Sequence, residues 1–192
     1  EASRGRVLPI RKTGRGIWVP TPVRVIAEAI ETLKNIGLLG EETPPGHVID
    51  AGTGDGRIPA VLASLDPQRL VYGIEADSAL YAQAVTNLQT LEARGLIDSA
   101  RVRLIEADYC DLTVYERCGI VLRQTGVIFN YPDGNQRCLA RFVAERCGRG
   151  TKLCLLTHDR TLELDELKLR ESADVSAGTG PAWRLSLYSR TA

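Results

Sequence analysis

Methionine is absent from this chain of 192 residues. Glu1 is therefore not an initiating residue, and the natural start is expected upstream of it. Histidine occurs only twice, as His47 and His158, far apart in sequence. The five cysteines (Cys110, Cys118, Cys138, Cys147 and Cys154) are scattered and contain no Cys-x-x-Cys. Neither pattern suits a metal centre, so no metal is expected. An odd set of thiols, mostly on apolar faces, fits reduced core cysteines of a cytoplasmic protein better than disulfides or zinc. No apolar run approaches the roughly 18–20 residues of a membrane span, and no signal peptide is visible. The formal net charge is zero. No global field then recruits nucleic acid or membrane, and any such preference must be local. The length suits one domain with a real core.

The chain does have glycine, and at His47–Arg57 it is spaced for a purpose. Val48 and Ile49 begin a short buried strand. Gly52, Gly54 and Gly56 follow at alternate positions, and a helix begins near Ile58. Such a strand-to-helix turn is the usual ligand crevice of an open α/β sheet. The residues among the glycines decide which ligand. A dinucleotide loop needs Gly-x-Gly-x-x-Gly, but the sixth position from Gly52 is Arg57. Asp50 and Asp55 would crowd a pyrophosphate. No Gly-Lys-Ser/Thr follows, so a P-loop is excluded too. A cationic ligand reverses the sign. S-adenosylmethionine carries an ammonium and a sulfonium and has no phosphate.

Taken in order, residues 1–20 form a basic arm, with Arg4, Arg6, Arg11, Lys12 and Arg15 against Glu1. It reads as a solvated terminus or as an electrostatic handle for an acidic partner such as nucleic acid. Thr21 is a good N-cap and Pro22 a good first helical residue. The helix that follows should bury Val23, Ile26, Ala27, Ile30 and Leu33 and end near Gly37 or Gly40. Leu70–Ile74 reads as a second strand ending at Glu75, which lies 23 positions beyond Gly52. An acid about 20 residues past the glycine turn is suited to accept both ribose hydroxyls. Val102–Asp108 reads as a third strand. Asp108 at its end is placed to accept from an adenine amino group, with Ala107 or Tyr109 lining the ring. Gly126–Phe129 is a fourth strand, followed by Asn130-Tyr131-Pro132-Asp133-Gly134-Asn135, and Gly150–Leu156 a fifth. The leucines at 162, 164, 167 and 169, then Trp183, Leu185, Leu187 and Tyr188, fit an antiparallel hairpin at the sheet edge. The class is α/β: a Rossmann-like, doubly wound, mostly parallel seven-stranded sheet with a C-terminal hairpin, one domain over residues 21–192.

Asp50-Ala51-Gly52-Thr53-Gly54-Asp55-Gly56 resembles motif I of class I, seven-strand S-adenosylmethionine-dependent methyltransferases. Trp18-Val19-Pro20-Thr21-Pro22, followed by a helix and Asp-x-Gly-x-Gly-Asp-Gly-Arg-Ile, is similar to the small archaeal and mitochondrial protein-lysine methyltransferases. Those typically carry Tyr where Trp18 stands. The resemblance implies S-adenosyl-L-methionine as cofactor, held by Trp18, Thr21, Asp50, Ala51, Gly52, Thr53, Gly54, Glu75, Ala76, Asp108, Tyr109 and Asn130. It implies a protein lysine as methyl acceptor, with Asn130 and Asp133 as candidate catalytic residues. Asn130 to Asp133 departs from the family's fourth-strand sequence. It also departs from the Asn/Asp-Pro-Pro-Tyr motif of amino-group methyltransferases, since Tyr131 replaces a proline and Asp133 the stacking aromatic. Methylation of nucleic acid or a small molecule, and a catalytically silent scaffold, stay open beside the lysine reading. The residues do not reveal the oligomeric state.

Overall fold

Strand and helix alternate because continuous apolar runs alternate with amphipathic ones, and the glycine-rich turns let one feed the next. The computed structural model describes residues 11–13, 16–41, 43, 46–158, 161–175 and 182–191. Two short strands, β1 (Arg11–Thr13) and β2 (Gly16–Trp18), pair antiparallel ahead of α1 (Val23–Asn35). The main body follows as β3 (His47–Ala51), α2 (Arg57–Leu65), β4 (Val71–Glu75), α3 (Ser78–Ala93) and β5 (Val102–Glu106). It continues with α4 (Leu112–Arg117), β6 (Thr125–Asn130), α5 (Gln136–Arg146), β7 (Lys152–His158), β8 (Leu167–Asp174) and β9 (Trp183–Arg190).

The seven longer strands form one sheet in the order β5-β4-β3-β6-β7-β9-β8. The pairs from β5 through β7 are parallel, and β9 runs antiparallel to both β7 and β8. This is the doubly wound sheet with a C-terminal hairpin expected from the sequence. The chain leaves β3 towards β4 on one side and later returns to β6 on the other. A crevice therefore opens at the carboxyl end of β3.

Pleating divides β3 between two cores. Val48 packs with Val71, Val127 and the buried face of α1 and α2. Ile49 and Ala51 pack with Ile74, Ile128 and the buried face of α5. Both β3 and β4 are buried along their whole length, which explains their unbroken apolar sequence.

Three details differ from the expectation. Helix α1 starts one residue late, with Pro22 at the cap and no side-chain capping bond. The Pro22 carbonyl takes the first amides instead, from Val25 and Ile26. Its inner face is Val25, Ile26, Ala29, Ile30 and Leu33, whereas Val23 is 54% exposed and Ala27 half-buried. Spacings of three and four allow both faces, and packing on α2 selects one. At the C-terminus, Leu162 and Leu164 precede β8 instead of belonging to it. Leu164 makes an isolated bridge with Leu167, and the Leu162 amide and carbonyl both bond the Tyr188 hydroxyl at 2.8 Å. A register shift between Leu169 and Glu171 then turns Leu169 outward.

Residues 1–10, 14 and 15, which hold Arg4, Arg6 and Arg15 of the basic arm, lie outside the described residues, as does the 176–181 turn of the hairpin. Lys12 is exposed on β1, and Arg11 approaches Asp77 at 3.9 Å. Among the described residues, no helix is long and apolar enough to cross a membrane. Nor does any group of three His, Cys, Asp or Glu side chains among them fit a metal ion.

Candidate functional site

The crevice at the end of β3 is a cavity of about 320 Å³. Its floor is the turn from Gly52 to Gly56, where all three glycines have positive φ (82°, 58° and 83°). The backbone amides of Gly52 and Thr53 both donate to the Ile74 carbonyl, which fastens the turn to β4. Glu75, at the end of β4, reaches back across it. Its Oε2 accepts the Gly54 amide at 2.7 Å and its Oε1 the Asp77 amide at 2.8 Å. Each oxygen retains a further acceptor site facing the cavity that Glu75 lines.

Five carboxylates line this space: Asp50, Asp55, Glu75, Asp108 and Asp133. Arg57 is the one cationic side chain among the described lining residues. It is engaged by Asp55, with Nε at 2.9 and 3.1 Å from the two oxygens, and it donates to the Thr21 carbonyl at 3.3 Å. Asp50 is 1% exposed and accepts the Thr53 hydroxyl at 2.5 Å. Burial, reinforced by the nearby Glu75 and Asp55 charges and opposed by the Thr53 bond, pushes its pKa up to about 7. A low-dielectric pocket holding this much like charge favours a cation or a proton.

The segment between β2 and α1 forms the opposite wall. Ile17, Trp18, Val19, Pro20 and Thr21 all line the cavity. Trp18 lies directly on the glycine turn, for a Cβ built on Gly54 would stand 2.2 Å from its Nε1. Thr21, expected as a helix cap, is instead buried against the cavity. Gly54→Ala is expected to lower stability by about 1–3 kcal/mol, through the left-handed backbone and the collision with the indole. It should also shift tryptophan emission to longer wavelength. Only Trp18 and Trp183 can report, and Trp183 is 2% exposed in the core. The stability loss should shrink in a Trp18→Ala background, which removes the collision. An unchanged spectrum and an undiminished loss would place Trp18 elsewhere.

Past the end of β5, Asp108, Tyr109 and Cys110 line the cavity, and past β6 so do Tyr131, Asp133 and Asn135. The Tyr109 hydroxyl donates to Asp133 Oδ2 at 2.7 Å, joining these two loops. Burial, together with the Asp133 charge, raises the Tyr109 pKa, so the phenol stays a donor. Asp133 Oδ1 accepts the Asn135 amide at 2.9 Å and closes the turn that leads into α5.

Of the residues expected at the site, Trp18, Thr21, Asp50, Gly52, Thr53, Glu75, Ala76, Asp108, Tyr109 and Asp133 line one cavity. Gly54 contributes its amide to Glu75 and its bare Cα to Trp18. Ala51 and Asn130 are not on the cavity wall. The Ala51 side chain belongs to the core under α5 because of its pleat position. Asn130 is 1% exposed beneath the turn, donating from Nδ2 to the Ala51 carbonyl at 2.7 Å. Its Oδ1 is buried with no hydrogen-bond partner. Tyr131, Asn135 and Cys138 were not singled out for the cavity beforehand. Their signal was adjacency to a strand end, or, for Cys138, one helical turn into α5, and neither marks a ligand site in sequence.

No family model and no curated protein matches the chain in sequence. Solved structures do match in shape. An rRNA methyltransferase from Streptomyces viridochromogenes gives a TM-score of 0.65 at 18% identity, over 93% of this chain and 88% of that one. An RNA methyltransferase from Salinibacter ruber, in complex with S-adenosyl-L-homocysteine, gives 0.57 at 21%, over 91% and 95%. The magnesium protoporphyrin IX methyltransferase from Synechocystis with bound S-adenosylmethionine gives 0.59 at 16%, over 87% and 79%. These proteins differ in acceptor and agree in architecture, and the chain shares their seven-stranded methyltransferase fold.

Proposed function

We propose that this protein is an S-adenosylmethionine-dependent methyltransferase whose acceptor is an amine, the side chain of a protein lysine. The carboxylate lining of the cavity carries this reading, because it suits a sulfonium cofactor and then a cationic acceptor, and it repels phosphate. The residues present fit the cofactor. Glu75 offers two oxygens to the ribose hydroxyls and Asp108 a carboxylate to the adenine amino group. The turn from Gly52 to Gly54 admits the ligand close to the backbone, and Asp50 faces its positive charge. The buried, unpartnered Asn130 Oδ1 is an acceptor that an incoming N–H would satisfy.

S-adenosylmethionine supplies an activated methyl group. The chain supplies orientation, exclusion of water and a proton acceptor. A lysine amine loses its proton before transfer, from a group of ordinary pKa about 10.4. Asp133 borders the cavity beside Gly52 and Tyr109, where its carboxylate orients the amine by accepting one of its hydrogens. The unpaired thiols of the described residues agree with a reducing, cytoplasmic setting.

The test is transfer of label from S-adenosylmethionine, radiolabelled in the methyl group, to a lysate of the host, followed by separate protease and nuclease treatment. Label lost to protease and recovered as methylated lysine supports the proposal. Label lost to nuclease would make nucleic acid the acceptor and the basic N-terminal arm its handle. Label in neither fraction but in small solutes would make a metabolite the acceptor. Cofactor binding without any transfer would leave a silent scaffold.

A further inference from the structure

Two thiols share the wall of the cavity beside Asp108. Cys110 follows Tyr109 in the loop after β5, and Cys138 lies in the first turn of α5. The segments that carry them are held together without the cysteines, by the 2.7 Å bond from the Tyr109 hydroxyl to Asp133. The thiols themselves are in hydrogen-bond contact, and both are reduced. Their surroundings differ. Cys138 is exposed and Cys110 half-buried. Burial, then the contact with Cys138, then the Asp108 and Asp133 carboxylates keep the Cys110 sulfur protonated. The proposed methyl transfer uses neither group.

We propose that Cys110 and Cys138 form a dithiol site, which a low-molecular-weight disulfide oxidises to an intramolecular disulfide on the cavity wall. The accessible Cys138 loses its proton to water and attacks one sulfur of the small disulfide. The other sulfur of that molecule leaves as a thiolate and takes up a proton. Cys110 then loses its proton and attacks the Cys138 sulfur of the mixed disulfide, and the second small thiol leaves. Two protein thiols are oxidised to one disulfide, and one small disulfide is reduced to two thiols. An S–S bond of about 2.05 Å is shorter than any thiol–thiol hydrogen bond. Closing it draws the first turn of α5 towards the Asp108 loop and narrows that side of the cavity.

The test treats the full chain with oxidised glutathione, blocks the remaining thiols, and maps disulfides by mass spectrometry without reductant. The expected product is a Cys110–Cys138 crosslink that dithiothreitol reverses. Cys110→Ser should instead stop at a glutathione adduct on Cys138, and Cys138→Ser should give neither species. Oxidised wild type should bind S-adenosylhomocysteine about tenfold more weakly or worse, whereas each serine variant should bind equally before and after treatment. Glutathione retained on Cys138 of the wild type, or no reaction at either thiol, would overturn the proposal. A crosslink that leaves affinity unchanged would overturn the narrowing. Failure of the reduced protein to bind S-adenosylhomocysteine would count against the methyltransferase reading, and the mapped crosslink would still decide this one.

Discussion

Glu75→Ala is expected to weaken S-adenosylmethionine binding about a hundredfold or more, measured by calorimetry. Hydrogen bonds to a charged group contribute about 1.5–3 kcal/mol each, and two ribose hydroxyls lose their acceptor together. A second loss adds to the first. Glu75 already accepts the Gly54 and Asp77 amides, so its removal also frees the glycine turn that forms the cavity floor. Glu75→Gln should rescue little of this. One of its two atoms becomes an NH₂ aimed at a backbone N–H, so one of the two amides must go unpaired. Asp108→Ala should cost less, about tenfold, because one adenine contact is at stake. Asp108 also accepts the Cys110 amide, a bond within its own loop that leaves the floor in place. Equal losses for Glu75→Ala and Asp108→Ala would mean that the glycine turn does not depend on Glu75. An unchanged affinity in Glu75→Ala would sink the ribose assignment.

Asp50 should make that affinity depend on pH. Its folded-state pKa lies near 7, raised from the usual carboxylate value by burial and by neighbouring carboxylates. The empty cavity therefore holds a proton on Asp50 under mildly acidic conditions, and a cationic ligand competes with that proton. Binding should tighten about tenfold between roughly pH 6 and pH 8, as the ionised fraction rises. Asp50→Asn should flatten the profile and bind more weakly at the upper end. Stability of the ligand-free protein runs the opposite way. The pKa is raised on folding, so between the ordinary carboxylate value and about 7 the folded state binds more protons than the unfolded one. Stability must then fall as pH rises through that window, and the loss is complete above about 7. Asp50→Asn should consequently raise the melting temperature at pH 8 while it impairs binding. Thermal unfolding with and without S-adenosylhomocysteine separates the two effects. A variant that lost both stability and affinity at pH 8 would make Asp50 a structural acid, ionised in the empty cavity.

Much of the site was legible because it is local. Gly52, Gly54 and Gly56 announce a turn whose positive φ angles L side chains resist. Glu75 and Asp108 sit at strand ends whose distance from that turn follows from the length of a strand–helix unit. Parallel strands in register bring such ends to one edge, so spacing alone predicts their convergence. The α/β class and the antiparallel hairpin were readable for the same reason, as runs of strand and helix periodicity.

The rest needed three dimensions. Val23 and Val25 are equally apolar, and only packing against α2 turns the first outward and the second inward. Ala51 is adjacent to Asp50 and Gly52, yet the pleat sends it into the core while they line the cavity. Asn130 looked like a wall residue and lies beneath the turn, tied to the Ala51 carbonyl. The contacts of Trp18 with Gly54, Tyr109 with Asp133 and Cys110 with Cys138 join segments far apart in the chain. No periodicity or propensity encodes them. Local chemistry determined which turn binds and what sign of charge it offers. The stacking of strands and the rotation of helices decided which side chains meet there, because those depend on packing the whole core at once.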